Sequence, residues 1–425
     1  MVIKPARNTT SITTSTTSHG EPYDALVLDA ILRQSLVTVR TLGQRGMRVA
    51  ALETSAFKLI PTFSSRWCQH SYIAPKYDQS DEPFVEYLKL FLQKNATRML
   101  FTSADGTLEI LRAHRAEFEP LTRLAIGNEA ALEIATNKDQ TLEIAHRLGL
   151  GVPEGVTLFS RAEVKEALKI IGLPAVVKPN ESWLWGDQHG VRLDCALVAT
   201  SDEAYQAVER LTQDGGSVLF QKFLTGRRES MSFLYANGEM YARFAQWAKR
   251  TQPQLGGTSV YRKSIAIPDD IGPQAELLIR EINLDGYSEV EFRRDADGKP
   301  YLMEINPRLS ASVEVAVRAG VDFPYLMYQW AMGERIDHIN SYQTDKWMRF
   351  LEGDMRTTLQ ALQEQGRPGV TDAREALLGF FGSFFVPCNY DYVDIHDPVP
   401  AWVAAQNLAY RWNFNRKEKL ARRDK

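Results

Sequence analysis

The strongest constraint in this 425-residue chain is a short stretch, residues 287–308, reading YSEVEFRRDADGKPYLMEINPR. In its first half Glu289, Glu291 and Arg293 alternate with Val290 and Phe292, the period-2 pattern of a half-buried strand. Residues 300–306 alternate as well, with Tyr301, Met303 and Ile305 opposite Leu302, Glu304 and Asn306. Between the two runs lies Asp297-Gly298, a two-residue hairpin signal, because a type I′ turn needs positive φ at both central positions. With that pair as the turn centre, Glu291 falls directly across from Glu304 and Glu289 across from Asn306. Directly opposed residues have Cβ atoms about 4.5–5.5 Å apart, and like charges there are destabilising. Two readings follow. The hairpin carries a solvated polar face, or its two carboxylates and amide oxygen converge on a hard cation such as Mg²⁺, which takes carboxylate oxygens and bridges nucleotide phosphates.

Composition narrows the partners. Hydrophobic residues make up 44% and charged residues 24%, as in globular chains, and the length suggests two or three domains or subdomains. A net charge of −3 gives no basic field for nucleic acid or an anionic membrane. Cys68, Cys195 and Cys388 are odd in number and far apart, without Cys-x-x-Cys. That excludes a disulfide or zinc framework and fits a cytoplasmic location. The longest apolar run, near residues 376–386, is too short to span a bilayer.

Residues 1–22, rich in Thr and Ser, read as a disordered tail. Residues 23–53 read as a βαβ unit: an apolar strand at 25–29, a helix burying Leu32, Leu36, Val39 and Leu42 with Arg33, Arg40 and Gln44 turned outward, and a second strand at 47–52. The turn after the first strand, residues 30–34, contains no glycine. The glycine-rich dinucleotide fingerprint is therefore absent, and an NAD-dependent oxidoreductase is rejected. Asp105 and Glu109 follow a buried strand at 99–103, where open α/β sheets bind ligands; helix capping and surface solvation are the commoner explanations for each.

The hairpin sequence, Glu291-Phe292, a short Asp/Gly turn and then Met303-Glu304-Ile305-Asn306-Pro307-Arg308-Leu309-Ser310, resembles the metal-binding hairpin of the ATP-grasp superfamily. The continuation SASVEVAVRAGVDFPYLMYQWAMGE is similar to the helix that follows it in the carboxylate–amine ligase branch. Asn137-Lys138-Asp139 with a following Leu-Gly-x-x-Val-Pro, and Val176-Val177-Lys178-Pro179, resemble the family's two phosphate-facing lysines; exposure and a snorkelling side chain are the plain alternatives. The loop at 181–191 sits where the family covers the phosphates. It holds only Gly186 and Gly190 and carries Trp183, Trp185 and His189, a departure from the small-residue loop whose backbone amides cradle phosphate. Residues 338–425 hold an amphipathic helix at 344–365, an apolar segment and a basic tail. His396-Asp397-Pro398-Val399-Pro400 there is similar to the C-terminal segment of uncharacterised ATP-grasp carboligase proteins.

The resemblance implies an α/β protein, α+β in its nucleotide-binding part. The expected division is a Rossmann-like pre-ATP-grasp domain at 23–125, an ATP-grasp domain at 126–337 with a lid at about 151–220, and a C-terminal extension at 338–425. It implies an ATP-dependent ligase that joins a small carboxylic acid to an amine or amino acid, with a carboxylase, a phosphotransferase or a nucleotide-binding regulator as alternatives. It implies ATP and Mg²⁺, with Mn²⁺ as a substitute, and a homodimer as an assembly common among relatives. By this reading Glu291, Glu304 and Asn306 hold the metal. Lys138, Lys178, the hinge Gln221, Lys222 and Leu224, and a ribose-binding Glu229 hold the nucleotide. Arg308, Lys138, Arg243 and Lys263 act on the transferring phosphoryl group or a substrate carboxylate.

Overall fold

The computed structural model describes residues 21–54, 59–185, 190–254 and 256–410. The sequence readings of the N-terminal tail, of Gly186, of His189 and of the basic tail lie outside the described residues. The first sheet is parallel, in the order β3-β2-β1-β4-β5. Its strands are β1 (Ala25–Val27), β2 (Val49–Glu53), β3 (Cys68–Ile73), β4 (Met99–Phe101) and β5 (Arg123–Leu124), connected through α1 (Arg33–Gln44), α2 (Glu82–Asn95), α3 (Asp105–Ala113) and α4 (Arg115–Phe118). β1, β2 and β4 are buried along their whole length, as a sheet covered on both faces requires. Two helices, α5 (Glu129–Thr136) and α6 (Lys138–Arg147), lead out of it. Asn137 caps α6 by accepting from the Gln140 amide at 3.1 Å, which places Lys138 at the first helical position.

A four-stranded antiparallel sheet follows, formed by β6 (Gly155–Leu158), β7 (Ala175–Pro179), β10 (Ala196–Val198) and β11 (Val218–Lys222) in the order β10-β7-β11-β6. It packs on α7 (Val164–Ile171) and α8 (Ser201–Thr212). Val177, Val208 and Phe220 belong to a hydrophobic core of its own. The short pair β8 (Trp183–Trp185) and β9 (Gly190–Arg192) packs against α3 of the first domain.

The large sheet runs β16-β15-β12-β13-β14-β17-β18. Its strands are β12 (Arg228–Ala236), β13 (Glu239–Gln252), β14 (Thr258–Ile265), β15 (Gly286–Arg294), β16 (Pro300–Asn306), β17 (Trp347–Arg349) and β18 (Asn389–Tyr390). It carries α9 (Gly272–Glu281), α10 (Glu314–Ala319), α11 (Phe323–Met332), α12 (Leu351–Gln363) and α13 (Ala373–Gly382). The parallel first sheet and the mostly antiparallel remainder agree with the α/β reading.

Three local expectations are corrected. The helix expected at 344–365 begins only at Leu351, because residues 347–349 join the large sheet as β17 beside β14. The hairpin does not turn on a two-residue loop. Gly298 alone takes positive φ, at 85°, and its amide donates to Asp295 O at 3.2 Å, which makes a three-residue loop ending in a left-handed glycine. A bulge then compensates: Phe292 pairs with Leu302 while Glu291 pairs with Glu304, so Met303 is the extra residue. Leu302 thereby joins Val290, Phe292 and Ile305 in the core, although strict alternation had set it on the face of Glu304.

The third correction concerns charge. Arg33 and Arg40 of α1, expected outward, are only 8% and 4% exposed. Arg33 Nη1 donates to Asp391 at 2.6 Å and Arg40 Nε to Asp397 at 2.9 Å. Asp397 also accepts from Ser65 Oγ at 2.7 Å and the Arg66 amide at 2.9 Å. The C-terminal segment therefore supplies buried counter-charges to the first domain. Asp397→Ala would strand the Arg40 guanidinium in the interior, so it should cost about 3–5 kcal/mol; urea unfolding of the two proteins checks this, and a loss under about 1 kcal/mol would contradict the role given to the pair.

Candidate active site

The end of the large sheet formed by β12, β15 and β16 faces the four-stranded sheet and the first domain across a cavity of about 800 Å³. Along this face the strand register places Ser230 beside Glu291, and Ser232 beside Glu289, on β12 and β15. On β15 and β16 it pairs Glu291 with Glu304 and Glu289 with Asn306. Asn306 Nδ2 donates to Glu291 Oε1 at 3.3 Å. The three residues read as metal ligands are thus brought together.

Two lysines approach the same point. Lys138, at the start of α6 and 6% exposed, has Nζ 3.9 Å from Glu304 Oε2 and donates to Ser182 Oγ at 3.4 Å. Lys178, on β7, reaches over the bulge, with Nζ 3.6 Å from Met303 Sδ. Burial pulls the Lys178 ammonium below its ordinary value, against the opposing pull of Cys195 and Glu304. The two carboxylates are driven apart. Burial pushes the Glu291 carboxyl up, and the neighbouring Glu304 and Glu289 add to this against the pull of Arg228. Burial also works against the Glu304 anion, but Lys138, Lys178 and Arg228 outweigh it and hold that carboxyl below its usual range.

Arg308 follows the hairpin and forms a two-pronged ion pair with Asp105, whose second contact, Nη2 to Oδ2, is 3.0 Å. Asp105 opens α3, where a negative charge suits the helix N-terminus. Sequence reasoning had left Asp105 between capping and contact; the structure joins it to Arg308 on the cavity wall. Gln221, Lys222 and Leu224 line the cavity where β11 ends, and Gln221 Nε2 is buried without a hydrogen-bond partner. Trp183 rests against Tyr77 of the first domain, ring centroids 5.4 Å apart.

Two expected residues, Arg243 and Lys263, lie away from this cavity; a third, Glu229, lines it but stands on the opposite side of β12 from the residues that pair with Glu291 and Glu289. Arg243 forks onto Glu276 of α9, Nε–Oε2 2.6 Å and Nη2–Oε1 2.8 Å. Lys263 donates to Asp345 at 2.5 Å and lies over Trp247 and Trp347. The Glu229 carboxylate accepts from Arg294 Nε at 2.8 Å and pairs with Arg227 at 2.8 Å. Glu229 pairs in the sheet with Trp247 and Phe292, and Trp247 with Lys263. All therefore project from the side opposite Glu291, since neighbours along a strand alternate. The residue of the Arg-Arg-Glu run that does face the carboxylates is Arg228, which donates to Glu291 Oε1. Counting parity along β12 from Ser230 would have found it.

The donor set fits a hard divalent cation: two opposed carboxylates and an amide oxygen. Gln221 Nε2, a buried donor without a partner, fits an acceptor-bearing ligand at the hinge.

The family model described as ATP-grasp in the biosynthetic pathway with Ter operon matches residues 214–352, from the hinge through the hairpin to β17. The carbamoyl phosphate synthase large chain of Vibrio cholerae serotype O1 is 23% identical over 267 residues, 59% of this chain and 24% of that protein. The chain thus spans about a quarter of that relative's length. The D-alanine–D-alanine ligase of Saccharophagus degradans is 24% identical over 220 residues, 48% of this chain and 66% of that protein. Among solved structures, the biotin carboxylase domain of Hydrogenobacter thermophilus 2-oxoglutarate carboxylase, crystallised with MgADP, matches with a TM-score of 0.62. It is 14% identical and covers 77% of this chain and 74% of its own. The opposed hairpin carboxylates, the two lysines beside them and these likenesses together give the chain an ATP-grasp fold, with residues 214–352 matching an ATP-grasp family model.

Proposed function

We propose that the chain is an ATP-dependent carboxylate–amine ligase that takes a small carboxylic acid and an amine or amino acid. The observation that carries this reading is the direct opposition of Glu291 and Glu304 with Asn306 at their side and Lys138, Lys178 and Arg308 around them. Glu291, Glu304 and Asn306 would hold Mg²⁺, with Mn²⁺ as a substitute, and the cation would neutralise charge on the β- and γ-phosphates. Lys138 and Lys178 hold the phosphates in line, and Gln221, Lys222 and Leu224 seat the base. The carboxylate of the first substrate attacks the γ-phosphorus, giving an acyl phosphate and ADP. Arg308 turns its fork from Asp105 toward the equatorial oxygens as charge spreads over them. The amine then displaces phosphate, leaving an amide and releasing a proton. The cavity lies between the sheets, so closing the four-stranded unit over it would exclude the water that hydrolyses an acyl phosphate. For such an enzyme we propose functional boundaries at 23–125, 126–337 with its lid at about 151–220, and 338–425. A second reading, bicarbonate-dependent carboxylation, is favoured by the likeness to a biotin carboxylase domain.

Phosphate release from Mg·ATP, assayed against pooled carboxylic acids and amino acids with product masses recorded, tests the proposal. The expected product is lighter than its two parents by one water. Release that needs bicarbonate and yields no such product would replace ligation by carboxylation. Glu304→Ala should lower phosphate release by about a hundredfold or more with an unchanged melting temperature; wild-type rates would remove the metal assignment. Lys178→Ala should weaken nucleotide binding about tenfold, the loss of one charge-assisted hydrogen bond. Arg243→Ala and Lys263→Ala should each leave nucleotide affinity within about twofold, since surface ion pairs away from a ligand add little to it; equilibrium titration with a nucleotide analogue checks the pair.

A further inference from the structure

One of the two hairpin carboxylates already has a cation. Arg228 Nη2 donates to Glu291 Oε1, and the Nη1 of the same guanidinium donates to the carbonyl of Gly257. The arginine stands on β12, paired with Arg293, one step along the cavity face from the Ser230–Glu291 pair. Its side chain is 18% exposed and that of Glu291 10%, so the contact forms inside the cavity wall and not in bulk water. Gly257 belongs to the turn between β13 and β14, which lines the same cavity. Glu304, by contrast, is approached only loosely by Lys138, at 3.9 Å.

A divalent cation sits about 2.1 Å from its carboxylate oxygens. Bound at this carboxylate beside a guanidinium hydrogen-bonded to Oε1, it would face a like charge at close range in a poorly screened wall. Arg228 therefore competes with a metal for the charge of Glu291. A guanidinium leaving a buried carboxylate needs another anion within reach. The planar fork matches phosphate oxygens well, and the space it faces is the one the lysines and Arg308 surround.

We propose that Arg228 is a resident counter-ion of Glu291 that keeps free divalent cations off the hairpin and yields the carboxylate only when nucleotide phosphates offer it a second anion. Metal binding is then conditional on nucleotide, and the enzyme loads Mg·ATP as a unit. The turn holding Gly257 loses its tie to Arg228 in the same step. This inference rests on the metal reading of the hairpin.

The test is titration of the full chain with Mn²⁺, followed by electron paramagnetic resonance, with and without a non-hydrolysable ATP analogue. Without nucleotide, Arg228→Gln should bind Mn²⁺ at least tenfold more tightly than the wild type, and Glu304→Ala in that background should abolish the gain. Arg228→Lys, which keeps the charge, should bind as weakly as the wild type, and circular dichroism shows whether each variant is folded. With the analogue present, the difference between wild type and Arg228→Gln should shrink to within about threefold. Equal nucleotide-free affinities in wild type and Arg228→Gln, or tight Mn²⁺ binding by the wild type alone, would overturn the counter-ion role while the ternary signal kept the metal reading intact. No bound Mn²⁺ in any protein, even with the analogue, would overturn both.

Discussion

Two guanidinium groups share one buried carboxylate near the middle of this molecule. Arg33 of α1 and Arg262 of β14 both donate to Asp391, which directly follows β18. Burial disfavours the Asp391 anion, yet the two arginines outweigh it and hold the carboxyl below its usual range. Three parts of the chain that are remote in sequence meet there: the first domain, the central sheet and the C-terminal segment. A buried charge left without its partner is far more costly than the pair itself is stabilising, so these parts form together or not at all. A second cluster repeats the device, with Arg250 of β13 and Arg349 of β17 both on Asp354 of α12. The floor and one wall of the cavity are therefore fixed by groups that cannot leave one at a time.

The other wall is built differently. The four-stranded sheet has its own apolar core and reaches the rest through Leu219, which belongs to the main core, and through side chains at its margins, such as Arg367 beyond α12, which donates to Leu197 O and Glu203 at 3.1 Å. A unit with its own core and limited contacts outside it can shift as a body at small cost. A rigid carboxylate hairpin facing a separately cored unit suits a reaction that must admit two substrates and then exclude water.

How much of this could be read from the sequence depended on the kind of order involved. The opposition of Glu291 and Glu304 was legible because alternation and a nearby turn constrain a hairpin locally. It was reached through two compensating errors, a turn of the wrong type and an unforeseen bulge. Lys138 and Lys178 were legible because each sits at a recognisable boundary, a capped helix start and a strand ending in Lys-Pro. Arg243 and Lys263 were misplaced because a strand residue's side is a matter of parity, and an error of one residue moves a side chain to the other face. Bulges around Ala248 and Arg250 make that parity still harder to carry from β13 to β14. Arg33 and Arg40 read as solvent-facing because charges are seldom buried. Their partners lie more than 350 positions away, where no local pattern reaches.

The bulge at Met303 sets the tip of the hairpin apart from its base. Between tip and carboxylates the two strands are out of step by one residue, and the step is absorbed at a single point whose side chain lies under Lys178. The loop at 295–299 is held by its own contacts, with the Asp295 carboxylate receiving the Asp297 and Lys299 amides at 3.0 and 2.9 Å. The tip beyond Asp295, whose carbonyl lies close against Gly226, is thus a cap on a fixed base. Its length and composition are free to drift over evolutionary time, or to accept a grafted sequence, while the spacing of Glu291 and Glu304 stays where the sheet sets it.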